Sequence, residues 1–200
     1  MVDLKLCSHS ECKNFCVTGH DACYHHLPNP QEYDEWVKNY IKENVIIKDV
    51  NFSFLNFSEI DFSHKKIYDC SFSNSVLENC NFEKVLFRFS SFEGAVIKNC
   101  NFNHINSKYM LFGETKIENS SFQSADLLHA NFVGSTATDV DFTDSDFFFS
   151  RFNSATLDRV SFRDCNLKRV HFYNTKRIEV NFKSSNAEEA FFDDLRGKNA

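Results

Sequence analysis

Residues 7 to 26 read CSHSECKNFCVTGHDACYHH and hold four of the chain's eight cysteines and four of its eight histidines. Cys7-x4-Cys12 and, ten residues on, Cys23-x2-His26 make two ligand pairs separated by a loop. Four soft or borderline N and S donors in that arrangement close a tetrahedron around zinc and leave no open coordination position. The chemistry is therefore structural, because a catalytic zinc keeps a place for water and needs a general base beside it. The predicted ligands are Cys7, Cys12, Cys23 and His26. Cys16 in place of Cys12, and His25 or His20 in place of His26, remain open alternatives. So short a segment cannot make a core of its own, so metal binding would be its folding energy.

The spacing is similar to that of small Cys3His zinc modules, C-x4-C-x(9 or 10)-C-x2-H. The x10 gap can fold as a hairpin around Gly19, with a helical turn starting at Cys23. Next comes NPQEYDEWVKNYIKENV, residues 29 to 45, which reads as a helix. Asn29 can cap it, Pro30 suits the first helical position, and Glu32, Asp34 and Glu35 complement the positive end of the dipole. Trp36, Val37, Tyr40 and Ile41 form an apolar stripe at helical spacing, so Trp36 is expected to cover the first turn of the region beyond it.

The chain beyond residue 45 has a period of five. From Ile47, every fifth residue through Phe192 is Phe, Leu or Ile except Ser107, Ala137, Arg177 and Ala187. Two residues before each such centre the side chain is small or aliphatic, with Lys65 the sole charge in that column. The residue just before the centre is often Asn, Asp or Ser, as in Asn81-Phe82 and Asp141-Phe142. A period of five fits neither a helix nor a strand, so the chain must turn a corner in every unit. Scarce glycine and proline, with abundant Asn, Asp and Ser, predict corners built by side-chain-assisted turns.

The pattern resembles the pentapeptide repeat family over about residues 45 to 192. The resemblance implies a right-handed, four-sided, all-β helix of about four pentapeptides per coil, and hence about seven coils. Centre and i−2 side chains then point inward. Every tenth residue from Phe52 to Phe192 is phenylalanine, so two opposite sides should carry phenylalanine ladders and the other two mainly aliphatic ones. Cys70, Cys80, Cys100 and Cys165 fall in the i−2 column, where a free thiol acts as a compact hydrophobe. The expected organisation is a zinc segment at 1–28, a capping helix at 29–45, the solenoid at 46–192 and a tail at 193–200. A short C-terminal helix is expected through Ala187, Ala190, Phe191 and Leu195. In the repeat family such a segment often mediates dimerisation, which makes a homodimer an expectation here.

Function must then lie on outward positions. On the side centred on Ile67, Phe87, Ser107, Leu127, Phe147 and Leu167 these include Tyr68, Phe89, Tyr109, Leu128, His129, Phe148 and Phe149. Such a contiguous apolar band, flanked by Arg88, Lys108, Lys168 and Arg169, has the make-up of an interface centre. Phe89, Tyr109, Leu128, Phe148 and Phe149 are the predicted partner-binding residues. In the run Phe147-Phe148-Phe149 only the first belongs to the core.

No phosphate-binding loop or nucleophile triad can be laid out, so no enzymatic activity is expected. The net charge of −6, with four basic against seven acidic residues in 1–46, argues against direct nucleic-acid binding. No run approaches a membrane span of about 20 apolar residues. The N-terminus lacks a signal-peptide hydrophobic region, and the expected address is the cytoplasm. The function expected is a zinc-capped scaffold that presents its aromatic side to an unidentified protein partner. The family resemblance offers an alternative, a DNA-mimic-like binder of DNA gyrase that protects it from quinolones or toxins. Such a mimic should be acidic throughout, whereas residues 46–200 hold 18 basic against 21 acidic residues, with seven basic residues gathered in 151–177.

Overall fold

The computed structural model describes residues 5–193. From Ile46 onward the chain is a parallel β-solenoid of about seven turns. Each residue pairs with the one twenty positions on: Ile47 with Ile67, Ile67 with Phe87, Leu77 with Ile97. The solenoid has four faces. The first is centred on Ile47, Ile67, Phe87 and their successors, the second on Phe52, the third on Phe57 and the fourth on Phe62. Three-residue strands line the first and third faces, in ladders of five and seven strands. The second and fourth are joined mostly by isolated parallel bridges such as Asn51↔Ser71 and Asp61↔Asn81.

The interior obeys the period of five. Phe62, Phe82, Phe102 and Phe122 stack at 4.5 Å, nearly parallel, and on the opposite face Phe72–Phe92 and Phe112–Phe132 stack at 4.7 and 4.6 Å. The two ladders meet edge to face, as in Phe92 against Phe102 at 5.8 Å and 81°. Aromatic quadrupoles favour both geometries. Aliphatic centres fill the gaps between them, and all four i−2 cysteines are buried with each sulfur against a main-chain carbonyl.

Every fifth residue from Asp49 through Ser184, two beyond each centre, has positive φ, yet only Gly94 and Gly134 among them are glycine. That conformation costs an ordinary residue roughly 1–2 kcal/mol. The offset comes from the next coil. From Asp49 through Arg169 the N–H of each such residue reaches a carbonyl one coil away, as in His64 to Glu83 at 2.9 Å and Asp144 to Arg163 at 2.9 Å. The expected side-chain-assisted turns are present too. The Asp61, Asn101 and Asp141 carboxyl or amide oxygens each accept the N–H two residues on, at 2.9 Å.

Helix α1, Pro30–Glu43, covers the N-terminal coil. Asn29 caps it by accepting the Glu32 N–H, and Pro30 opens it. The face turned to the solenoid is Tyr33, Val37 and Ile41, not the stripe led by Trp36. Steps of four keep Tyr33, Val37 and Ile41 on one line. Trp36, one turn aside, stays 41% exposed and stacks between Tyr33 and Tyr40. The lone charge of the i−2 column also finds its partner at this end: Lys65 Nζ donates to the Asn44 carbonyl, just past the helix end.

At the other end the expected helix is a single 3-10 turn, Ala187–Glu189, succeeded by a strand, Phe191–Phe192, parallel to His171–Phe172. The coil pattern continues because the Phe191 N–H bonds the Val170 carbonyl and the Arg169 N–H bonds the Glu189 carbonyl. Leu195 and the tail from 194 onward lie outside the described residues. Arg177 occupies a centre position in this last coil, with its guanidinium 4.8 Å from the Phe192 ring centroid. Its Nη1 is buried without a hydrogen-bond partner among the described residues.

Candidate metal centre and aromatic ladder

Residues 5–28 wrap over the same end of the solenoid as α1. Leu6 bridges antiparallel to Phe15, and the Cys7 N–H bonds the Asn14 carbonyl, closing a loop around Cys12. The Val17 N–H to Ala22 carbonyl bond closes a second loop around Gly19, whose φ is +81°. One 3-10 turn, Tyr24–His26, then carries His26 back over Cys23. Asn51 locks the module to the solenoid: its N–H bonds Thr18 Oγ1 and its side-chain amide bonds the Cys16 carbonyl.

Two loops and one turn converge four ligand atoms. The sulfurs of Cys7, Cys12 and Cys23 and a ring nitrogen of His26 lie within 4.8 Å of one another. Cys12 Sγ is 3.8 Å from Cys23 Sγ, and His26 Nδ1 is 3.4 Å from both Cys7 Sγ and Cys23 Sγ. A tetrahedral zinc with ordinary Zn–S and Zn–N bonds has S···S edges of about 3.8 Å and S···N edges of about 3.6 Å. The three closest separations lie near those edges, and the four atoms together are close enough to hold one metal ion.

The alternatives left open by spacing point elsewhere. Cys16 donates to the Leu6 carbonyl at 3.3 Å. His25 packs against Phe54, and His20 sits edge-on to Tyr33. His9, which spacing does not bring forward, stacks on His26 at 4.1 Å between centroids and fixes that ring's plane.

The thiols differ in acidity. The Cys23 backbone N–H, with smaller help from His9 and His26, outweighs burial and draws the Cys7 thiol down to about 6. Cys12 is held above the usual range: the Asn14 N–H lowers it, but burial and the neighbouring Cys23 and Cys7 sulfurs together outweigh that pull. Cys16, outside the cluster, is raised chiefly by burial.

The aromatic side is the first face, and it resolves into two columns. Phe89, Tyr109, His129 and Phe149, all exposed, stand one coil apart at positive φ and stack ring on ring at 5.5, 5.0 and 5.4 Å. Arg169 continues the column, its guanidinium 4.9 Å from the Phe149 centroid. Tyr68, Leu128 and Phe148 occupy the adjacent column and are half-buried. Phe148 sets its ring edge to face against Phe149 at 4.7 Å. Phe147 is fully buried between Phe142 and Phe152. Because the exposed rings stack along the rod, their faces are occupied by one another and their edges point outward. At its N-terminal end the ladder runs into a groove of about 580 Å³, walled by Phe89 and Leu111 on one side and by Lys13 and Phe15 of the cysteine-rich module on the other.

Among the described residues, no helix is long and apolar enough to cross a membrane. Two family profiles match the chain: pentapeptide repeat region over residues 115–192, and pentapeptide repeats (8 copies) over residues 67–105. Together they span more than half of the chain. No protein of curated function matches it. Similar solved structures include trypsin-treated QnrB1, described as a plasmid-mediated fluoroquinolone resistance protein: 14% identity over 76% of this chain and 85% of that one, TM-score 0.37. Another is the pentapeptide repeat protein Rfr23 of the cyanobacterium Cyanothece 51142, with 12% identity over 80% of this chain and 99% of that one, TM-score 0.31. A third, from the thylakoid lumen of Arabidopsis thaliana, has 17% identity over 55% and 69%, TM-score 0.27.

Proposed function

The chain belongs to the pentapeptide repeat family, and from that premise we propose that it is a non-enzymatic interaction scaffold, a zinc-capped rod whose first face meets a protein partner or a second subunit. The observation that carries this reading is the ladder Phe89–Tyr109–His129–Phe149. Those positions need only a residue that tolerates positive φ, and elsewhere in the same register they hold mostly Asn, Asp, Glu, Ser, Lys, Arg, Gly or His, with Phe54 the one other large apolar ring among the described residues. Large rings there cost solubility and add nothing to the core, which is filled by Phe87, Leu127 and Phe147 beneath them. Tyr, Phe and Arg in one desolvatable strip are the composition of interface centres.

Zinc is the metal that the donor set favours, since three thiolates and an imidazole suit it better than the oxygen-seeking cations. Its role is to hold two loops that have almost no core, and through Asn51 to seal the first coil. Native mass spectrometry should find one zinc per chain, removed by chelator and absent from Cys23→Ser. A gyrase-directed DNA mimic is disfavoured by the basic band at 151–177. Neighbouring coils partly neutralise that band, as where Arg159 clamps Asp139 at 2.6 and 2.8 Å.

The scaffold reading is tested with Phe89→Glu and Phe149→Glu combined. The double variant should fold normally by circular dichroism and lose either its captured proteins or its self-association. If capture profile and oligomeric state both stay as in the parent, the first face is not an interaction surface.

A further inference from the structure

Stacking leaves each end of the ladder with one ring face to spare. At the C-terminal end Arg169 covers it, its guanidinium 4.9 Å from the Phe149 centroid. Arg177 does the same for Phe192 in the last coil, at 4.8 Å. At the N-terminal end Phe89, 61% exposed, is stacked on one side only, by Tyr109 at 5.5 Å and 4°. Its other face, turned toward the cysteine-rich module, meets no ring or cation among the described residues. That face opens into the groove of about 580 Å³.

The groove floor is a run of hydroxyls. Ser53 Oγ is 2.8 Å from Ser71 Oγ, Ser71 is 3.1 Å from Ser73, Ser73 is 3.1 Å from Ser91, and Ser91 is 3.3 Å from Glu93 Oε2. Hydrogens can be counted along this run. A carboxylate only accepts, so Ser91 gives its single hydroxyl hydrogen to Glu93. Ser73 must then donate to Ser91, Ser71 to Ser73, and Ser53 to Ser71. The N–H groups of Ser73 and Glu93 donate into Ser71 and Ser91 as well. Every hydroxyl hydrogen is used within the run, which leaves acceptors for a visitor: the lone pairs of Ser53 and the Glu93 carboxylate. No basic group pairs with Glu93 among the described residues. Asp69, also on the lining, already has partners of its own. The one cation there, Lys13, is exposed, and its long stem lets the ammonium turn to water.

We propose that this groove binds an arginine side chain of the protein partner. Resting on the reading of the ladder as an interaction surface, this names the group that anchors the partner. The guanidinium lies flat on the open face of Phe89 as one more rung, as Arg169 does at the other end. Its N–H groups donate to Glu93 and Ser53, and its methylene stem runs between Phe15, Phe54 and Leu111. Other groups meet only part of the site. An ammonium suits the acceptors but is not planar and is more strongly hydrated. An aromatic ring covers Phe89 but brings nothing for Glu93. A phosphate or carboxylate meets a floor that has no hydrogen to give. Guanidinium is planar, carries donors only and keeps its charge.

The test is a saturation-transfer NMR titration of the intact, metal-loaded chain with N-acetyl-arginine amide. The lysine amide and the citrulline amide, which has the shape of arginine without its charge, serve as comparisons. The arginine compound should bind with a Kd on the order of 1–10 mM, as one cation–ring contact and one ion pair allow, and about fivefold or more tighter than the other two. Phe89→Ser and Glu93→Gln should each weaken it by about fivefold or more. Serine occupies the same register at Ser154 and Ser184, so the first change leaves the corner intact, which circular dichroism checks. Phe149→Ser, at the covered end, should leave binding within about twofold of wild type. Arginine binding no tighter than citrulline overturns the proposal, and so does unchanged binding in either Phe89→Ser or Glu93→Gln. If arginine does not bind but the Phe89→Glu/Phe149→Glu variant loses a captured partner, the anchor is wrong and the interaction surface stands. If arginine does not bind and that variant changes neither capture nor oligomeric state, both are wrong.

Discussion

Truncating Phe102 to alanine removes a ring from the middle of the fourth-face ladder. Phe102 is fully buried, stacked at 4.5 Å on Phe82 and on Phe122, and met edge-on by Phe92 at 5.8 Å. The strands are tied by main-chain bonds to both neighbouring coils, so the walls cannot collapse into the void. A Phe→Ala change in a core that cannot close costs about 3–5 kcal/mol. For a chain of this size that lowers the melting temperature by roughly 10 °C, at about 2–4 °C per kcal/mol. Phe182 offers the comparison: same ladder, last coil, half-buried, with one stacked neighbour, Phe162 at 5.4 Å. In a solenoid each coil is stabilised by itself and its neighbours, so Phe182→Ala should cost about 1–2 kcal/mol, because it removes less buried area and one stack fewer. Phe102→Leu keeps most of the volume and should lose under about 1.5 kcal/mol. Denaturant unfolding monitored by far-UV circular dichroism measures all three. Equal losses at Phe102 and Phe182, or a loss below about 1 kcal/mol at Phe102, would refute the nearest-neighbour account.

Metal retention should depend on pH in a defined direction. Cys7 is drawn down to about 6 in the folded chain from an ordinary value of 9.0, so its thiolate is favoured above that range and is lost as pH falls through about 6. Zinc affinity should fall as pH falls, because protons compete with the metal for the ligand thiolates and imidazole; a chelator-competition assay that finds the same affinity at about pH 8 and about pH 5 would contradict the assignment. In the metal-free chain Cys7 should react fastest with iodoacetamide, read by peptide mass spectrometry. Cys70 and Cys165, buried and pushed up to about 12, should react only after unfolding. Arg177→Leu should stabilise the last coil by about 1–3 kcal/mol, since it removes a buried N–H that has no hydrogen-bond partner among the described residues and restores an aliphatic centre; a lower melting temperature would show that the guanidinium has a partner.

Much of this architecture can be read from the chain because a period of five leaves few ways to bury a side chain. Centres and i−2 residues have to point inward, and the two phenylalanine ladders come from the period of ten. The same register separates Phe147 from Phe148 and Phe149. Legibility stops where a contact crosses coils or loops. Nothing local announces that Lys84, Phe89 or Arg159 holds positive φ, because the bond that offsets the strain comes from a residue about twenty positions away. The metal pairs are visible as spacing, but choosing His26 over His25 requires knowing that Phe54 takes the His25 ring. Trp36 escapes a sequence reading because a stripe of four apolar residues does not say which edge of it meets the solenoid. The C-terminal segment reads as a helix by composition, yet the open edge of the last coil offers its backbone better partners.

The uniform left-handed corner has a consequence for how such a chain can change. Since every unit turns by a quarter and every unit is bonded alike, the structure has a reading frame of five and a frame of twenty. Loss or gain of twenty residues removes or adds one storey and leaves each facade intact. A change of five keeps every centre inside but swings all later storeys to the adjacent facade. The ladder would then break into two half-length strips at right angles, in a protein that still folds. Core and surface in this chain thus answer to different arithmetic, and a lineage could redistribute its exposed residues by slippage without rewriting its interior.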